Sequence, residues 1–501
     1  MAVSRLSKSK LLSFLQCRKR LWLEAHRPEL AQITAARQAL FDTGHRVGEV
    51  ARTLYGRGRR VRAEYPQDRA SPGLNSQLQL FTPATVGEPG SAGAGAAPDA
   101  PEVFFEATFE HGEVLIRTDV LEQSVAGTRL IEVKAGAQMK DEYVPDVAIQ
   151  TWVLEGAGVR VNDVALAHIN DQFVYRGGGE YQGLLTEEAV GDLARRVAAR
   201  VPEWTRDALG VIAKPEPAVA IGQHCRTPFE CPFIHYCWPQ TEYPLTVLPK
   251  LGAKLDEYVA RGYRDVRDVP QSEVSGEARE RVWRATHANR AEIAPALRAA
   301  LRALGYPRFY LDFETISYAV PIWPGTRPYQ AIPYQWSVHV ERACGAVEHF
   351  EHLDLSGELP ARALAQRLLA VLGSEGPIVT YSDYERQCLR TLAQLVPMLA
   401  DHLRALEPRL VDLLPPLRSH YYHPAMRGRW SIKAVLPTVV PELRYEALGE
   451  VREGDAAQRA YLEAIHPATT PLRRHDLEQA LRRYCRFDTE AMLQLTRKLS
   501  A

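Results

Sequence analysis

Polar and apolar residues alternate most cleanly in three short stretches of the chain. In RFYLDFETI, residues 308–316, Phe309, Leu311 and Phe313 fall on one side, and Asp312 and Glu314 on the other. A period of two is the signature of a strand, with opposite faces seeing different surroundings. VLIRTDVLE (114–122) and TRLIEVKAG (128–136) read the same way, and Glu132 and Lys134 then share a face opposite Ile131 and Val133. Further patterns predict helices near 8–24 and 34–56, strands near 102–109, 113–122 and 129–134, and helical stretches near 145–156 and 185–209. Short helices are predicted over 247–298, and HDLEQALRRYCRFDTEAMLQLTRKLS closes the chain as one long helix. The expected fold class is α/β and multi-domain. Its domains are 1–245, a helical linker 246–298, and 299–501.

Composition narrows this picture only a little. TPATVGEPGSAGAGAAPDAP, residues 82–101, cannot bury a core and reads as a flexible surface insertion. Lys+Arg and Asp+Glu both number 61, so a nucleic-acid surface must be local rather than spread over the molecule. No apolar run approaches the roughly eighteen residues of a membrane span, and the N-terminus does not read as a secretion signal. An odd count of 7 cysteines without an export signal points to the reducing cytoplasm, where clustered thiols suggest metal. The phosphate loop GxxxxGK[ST] is absent, which argues against an ATP-driven motor.

Two constellations carry chemistry. In the first, Asp119 lies on the preceding strand, so its carboxylate could meet Glu132 beside Lys134 if the two strands pair. Two acids holding Mg²⁺ or Mn²⁺ next to an ammonium can hydrolyse a phosphodiester. The plain alternative is a charged surface hairpin. The pattern resembles the PD-(D/E)XK nuclease superfamily, a restriction-endonuclease-like fold in which these residue types are catalytic. The resemblance adds Gln150, from VAIQTWVL, to the site, and His45, from TGHRVGEVA, as an extra metal ligand of the RecB-like branch.

CRTPFECPFIHYC, residues 225–237, places five residues between Cys225 and Cys231 and five between Cys231 and Cys237, and Cys17 stands in SKLLSFLQCRKRLWLE. One cysteine before the core and three after it resemble the RecB/AddB-type iron–sulfur nucleases. That resemblance implies a 4Fe-4S cluster stapling the chain around the first site. Both gaps here are five residues, where better-known members have CxxC and then CxxxxxC. Zinc held by three cysteines with His224, His235 or Cys17, and plain burial of the thiols, are the other readings.

The second constellation joins Asp312 and Glu314 to YCRFD, where Tyr484 and Asp488 share a helical face at i, i+4. Acids crowded on one strand face repel unless a cation sits among them. Strand Asp-x-Glu with a late Tyr-xxx-Asp resembles the DEDDy subclass of RNase H-like 3′–5′ exonucleases, whose four acids hold two divalent ions while the tyrosine orients water. The third acid is assigned to Glu385, with Asp383 as the fallback, and Asp412 is expected nearby without being a ligand.

Nucleic-acid contacts are expected from Arg327 and Trp336, in PIWPGTRPYQAIPYQW, and from Arg429 and Lys433, in RGRWSIKAVLP, with Arg427 beside them. A packed Pro-rich loop and a solvated basic loop are the plain alternatives. LPKLGAKLDEYVARGYRDVRDVP resembles helix–hairpin–helix modules; its alternative is a simple linker. Nearly the whole chain is similar to a bacterial family of two-nuclease proteins. This implies a two-site nuclease acting on single-stranded DNA or ends, with RNA processing as an alternative. The rival is a non-catalytic nucleic-acid binder with degenerate sites.

Overall fold

The computed structural model describes residues 5–56, 58–60, 101–238 and 240–501. The insertion read at 82–101 therefore lies outside the described residues, apart from Pro101. The chain is a mixed α/β protein that divides into two compact units. One runs to Trp238 and takes in 319–321; the other holds the remainder, including 246–298. Among the described residues no helix is long and apolar enough to cross a membrane.

In the first unit a six-stranded mixed sheet has the order β2 (Arg59–Arg60), β3 (Glu102–Phe105), β6 (Val120–Ser124), β7 (Gly127–Lys134), β8 (Val161–Ile169) and β9 (Leu185–Ala189). A smaller sheet has the order β1 (Leu6–Ser7), β5 (Val114–Arg117) and β4 (Thr108–His111). The strand expected over 102–109 is broken at Glu106, whose φ of 57° takes the chain out of the extended region.

The helix expected over 8–24 is also two. α1 (Lys8–Gln16) and α2 (Arg18–His26) meet at Cys17, which adopts extended φ/ψ of −161° and 122°. α3 (Ala35–Leu54) follows, and α4 (Val144–Gly156) crosses the sheet with Val147, Ile149, Val153 and Leu154 fully buried. The helical reading of 185–209 is corrected at its start. Leu185–Ala189 pairs antiparallel with β8, and helix begins only at α5 (Gly191–Ala198) and α6 (Val201–Ile212). The local preference of LTEEA for helix yields there to a strand edge that β8 leaves open.

In the second unit α7 (Lys254–Ala260) and α8 (Glu277–Ala288) lie in the stretch read as short helices. The main sheet has the order β13 (Val347–Leu353), β12 (Ile332–Glu341), β11 (Arg308–Ile316), β14 (Ile378–Thr380) and β15 (Leu410–Asp412). β11 lies at its centre, antiparallel to β12 and parallel to β14. Phe309, Leu311 and Phe313 pack into a core with Leu364, Leu368, Leu389 and Leu392. Asp312 and Glu314 are thereby committed to the opposite face, along which the closing helix α16 (Pro471–Ser500) runs. Further helices lie between in sequence, among them α11 (Tyr384–Leu395) and α14 (Ile432–Val439).

Candidate functional sites

The first site grows out of the β6–β7 pairing. Val120 faces Ile131 across the ladder, so Asp119, one residue earlier, stands level with Glu132. Its Oδ2 accepts the Val133 amide at 2.8 Å, which fixes the carboxylate against β7. Glu132 is 3% exposed, and its Oε1 accepts from Lys134 Nζ at 2.7 Å. Gln150, fully buried on α4, donates Nε2 to Glu132 Oε2 at 2.7 Å and to Asp146 Oδ1 at 3.0 Å. Asp119, Glu132, Lys134 and Gln150 therefore meet as expected from the sequence.

Two members were not foreseen. Asp146 lies one helical turn before Gln150 and accepts from Lys134 Nζ through Oδ2. Lys8, the first residue of α1, reaches Glu132 Oε1 at 3.0 Å and Asp146 Oδ1 at 2.7 Å. The i, i+4 spacing of Asp146 and Gln150 was a usable signal; nothing local marks Lys8.

Burial, followed by the Glu132 charge, pushes Asp119 up to about 7 against the pull of Lys8 and Lys134. Burial would raise Asp146 as well, but Lys134 and Lys8 hold it far below the carboxylate range. His45 stays exposed on α3. Among the described residues, no trio of potential ligand atoms within 4.8 Å of one another includes His45, Asp119 or Glu132.

The cysteines gather beside the N-terminal helices. Cys225 and Cys231 are each 8% exposed, and Cys231 packs with Leu23 and Phe233 while Cys237 lies against that cluster. Gln16 Nε2 donates to the carbonyls of His224 and Phe229 at 2.8 and 2.7 Å, tying the end of α1 to the loop that carries Cys225. Burial pushes the Cys237 thiol up to about 11; Lys19 opposes, while Cys231, Cys225 and Cys17 lie close enough to add to the rise. All four candidate ligands therefore share one locality. Yet no three of these sulfurs fall within 4.8 Å of one another. A tetrahedral zinc site with Zn–S near 2.3 Å needs sulfur pairs about 3.8 Å apart.

In the second site Asp312 and Glu314 of β11 meet Asp488 of α16, with carboxylate oxygens all within 4.8 Å of one another. Glu385, in the first turn of α11, is 4% exposed and lies outside that trio, though its charge reaches both Asp312 and Glu314. Asp383 is exposed and pairs with Arg386 at 2.7 Å, so of the two candidates it is Glu385 that joins the acids.

Burial, then Asp488 and Glu314, hold Asp312 well above the usual range, and burial takes Glu385 to about 8. Asp488 rises to about 6 through burial, restrained by hydrogen bonds from Tyr445 and Tyr484 and by the Lys433 charge. The Tyr445 hydroxyl donates directly to Asp488 Oδ1, and the thiol of Cys485 donates to Asp312 Oδ2 at 3.4 Å. Neither was read from the sequence. Lys433, on α14, lies over the rings of Tyr445 and Tyr484 at 5.2 and 5.1 Å and donates to the Arg452 carbonyl at 2.9 Å.

The expected base-stacking role of Trp336 is corrected. Trp336 pairs across the ladder with Phe313, is 1% exposed in the core, and donates Nε1 to the Leu364 carbonyl at 3.1 Å. Trp323 and Tyr334 are buried too, Tyr334 stacked on Tyr461 at 3.9 Å, which leaves Tyr329 as the exposed aromatic of that stretch. Arg327, Arg427 and Arg429 are exposed, as phosphate contacts require.

A family model described as a domain of unknown function (DUF2779) matches residues 309–431. The match takes in Asp312, Glu314 and Glu385 and stops short of Lys433, Tyr484 and Asp488. Comparison with curated proteins gives no match.

Proposed function

We propose that this chain is a divalent-metal-dependent nuclease with two active sites: a PD-(D/E)XK-type site in the first unit and an RNase H-like, DEDDy-type 3′–5′ exonuclease site in the second. The observation that carries the reading is the second carboxylate group. Asp312, Glu314 and Asp488 converge within 4.8 Å with Glu385 alongside, and Lys433 is the cation whose charge acts on Glu314 and Asp488. Buried acids so poorly compensated raise one another's pKa, and a cation removes that conflict.

Mg²⁺ or Mn²⁺ held by these acids would polarise the phosphodiester and lower the pKa of an attacking water. The rest falls to the chain's own groups. Tyr484 donates toward Asp488 and can orient a nucleophilic water. Lys433 presents an ammonium to charge developing on phosphate, and the exposed Arg327 and Arg429 suit the backbone of a single strand. In the first site Asp119 and Glu132 supply the acids, Lys134 the ammonium, and Gln150 holds Glu132 in place. The four thiols suit a 4Fe-4S cluster, which supplies a thiolate-bound staple between α1 and the segment 225–237. Iron with inorganic sulfide in anaerobically purified protein supports this; stoichiometric zinc without iron refutes it.

The deciding assay uses end-labelled single- and double-stranded DNA and RNA with Mn²⁺, Mg²⁺ or EDTA. Asp312→Ala should abolish 3′ trimming and spare the first cut, and Glu132→Ala should do the reverse. Metal-dependent degradation unchanged by either substitution refutes the reading, and retention of nucleic acid in EDTA with no products when Mn²⁺ or Mg²⁺ is supplied marks a binder instead.

A further inference from the structure

Lys8 stands where helix electrostatics disfavour it. It is the first residue of α1, at the positive end of the helix dipole, where a cation is unfavourable and an acid would be favoured. Two carboxylates hold it there: Glu132 Oε1 at 3.0 Å and Asp146 Oδ1 at 2.7 Å. Lys134 bridges the same two acids, and Gln150 Nε2 binds both from the other side. Glu132 thus has neither carboxylate oxygen free. The Oε1 of Gln150, in contrast, is fully buried and has no hydrogen-bond partner, so the shell around these acids is incomplete.

Both ends of α1 are fixed from outside the helix. Before it, β1 pairs with β5, with the Leu6 amide donating to the Glu113 carbonyl at 2.9 Å. After it comes Cys17, and Gln16 clamps the loop of Cys225. The helix has nine residues, about 13 Å at 1.5 Å per residue. Lys8 and Gln16 thus stand at the two ends of one short helix.

We propose that Lys8 is a built-in counter-cation of the first site, which bridges Glu132 to Asp146 and competes with a divalent ion for Glu132, and that the Gln16 clamp at the far end of α1 sets its position. This rests on the reading of that site as metal-dependent. It makes Lys8 a positioning residue that sets how readily the site loads. Loss of the Gln16 clamp then loosens the lysine and changes metal affinity with no ligand substituted.

The test is Mn²⁺ binding, followed by electron paramagnetic resonance on the full chain carrying Asp312→Ala and Glu314→Ala, so that the second site is silent. Lys8→Met should tighten Mn²⁺ binding at least about tenfold by removing a competing charge, and Lys8→Arg should restore the parent affinity. Gln16→Ala should shift affinity in the same direction as Lys8→Met, and the two changes together should give no more than Lys8→Met alone. Unchanged or weaker binding in Lys8→Met overturns the proposal, as does an additive double variant. Glu132→Ala in the same background separates the two claims. If it leaves Mn²⁺ binding intact, the first-site reading itself is wrong. If it abolishes binding while Lys8→Met does nothing, only the role of Lys8 falls.

Discussion

The two carboxylate clusters solve the same electrostatic problem in opposite ways. In the first, Asp119, Glu132 and Asp146 are met by Lys8 and Lys134, and the hydrogen bonds among them are nearly closed. In the second, Asp312, Glu314, Glu385 and Asp488 face Lys433, and their burdens are shared with neutral donors from Tyr445, Tyr484 and Cys485. A group of buried acids without matching cations is destabilised by its own charge, whereas a buried ion-pair network depends on keeping every member. The first cluster thus carries cations of its own to balance its acids, and the second has fewer.

The largest effects should appear in catalysis. Asp312→Ala and Glu132→Ala are each expected to lower their own activity about a hundredfold or more, with the other activity retained, measured as rates on 3′-labelled and internally labelled strands. Loss of both activities from one substitution would mean that the clusters do not act separately.

Stability should separate them by sign. Glu132→Gln leaves Lys8 and Lys134 with one fewer partner and should cost about 2–4 kcal/mol in denaturant unfolding. Asp312→Asn removes a carboxylate whose ionised form its surroundings oppose, and should stabilise the metal-free protein at pH 8. Equal signs would erase the contrast.

The pH dependence follows from the same contrast. Glu385 titrates near 8 and Asp488 near 6 in the folded protein, while an unfolded chain has released both protons above about pH 4.5. Between those limits the folded state holds more protons, so metal-free stability should fall as pH rises from about 4.5 to about 8. Asp119, near 7, adds to the slope with the same sign. Saturating Mn²⁺ should flatten the curve, and Glu385→Gln should remove its upper part. A metal-free stability that climbs over this range would contradict the assignment.

How far these clusters could be read from sequence depends on how locally each member is specified. Glu132 with Lys134, Asp312 with Glu314, and Tyr484 with Asp488 follow from strand or helix period alone, because side-chain direction is set within a few residues. Lys8 lies 124 positions from Glu132, and their meeting depends on β1 docking beside β5, which no local pattern announces. Tyr445 reaches Asp488 from a short 3₁₀ turn whose position is set by tertiary packing. Trp336 misled for a related reason. An aromatic among prolines suggests a loop, but β12 runs ten residues and every one of them is buried. The break at Cys17 was hidden too, since residues 8–24 keep a helical period across a residue whose backbone is extended.

The smallest expected effect bears on the choice between Asp383 and Glu385. Sequence spacing alone leaves either acid available, since they sit two residues apart at the start of α11. The structure divides them by environment: Asp383 is an exposed cap residue paired with Arg386, and Glu385 is buried against the acid cluster. An exposed pair of this kind contributes at most about 1 kcal/mol. Asp383→Ala should therefore change unfolding free energy by about 0.5 kcal/mol or less and leave 3′ trimming within about twofold of the parent. Glu385→Ala should reduce trimming and Mn²⁺ affinity together, because it removes an acid whose charge acts on Asp312 and Glu314. If Asp383→Ala proved the more damaging of the two, the cluster would have to be redrawn around an acid now turned to solvent.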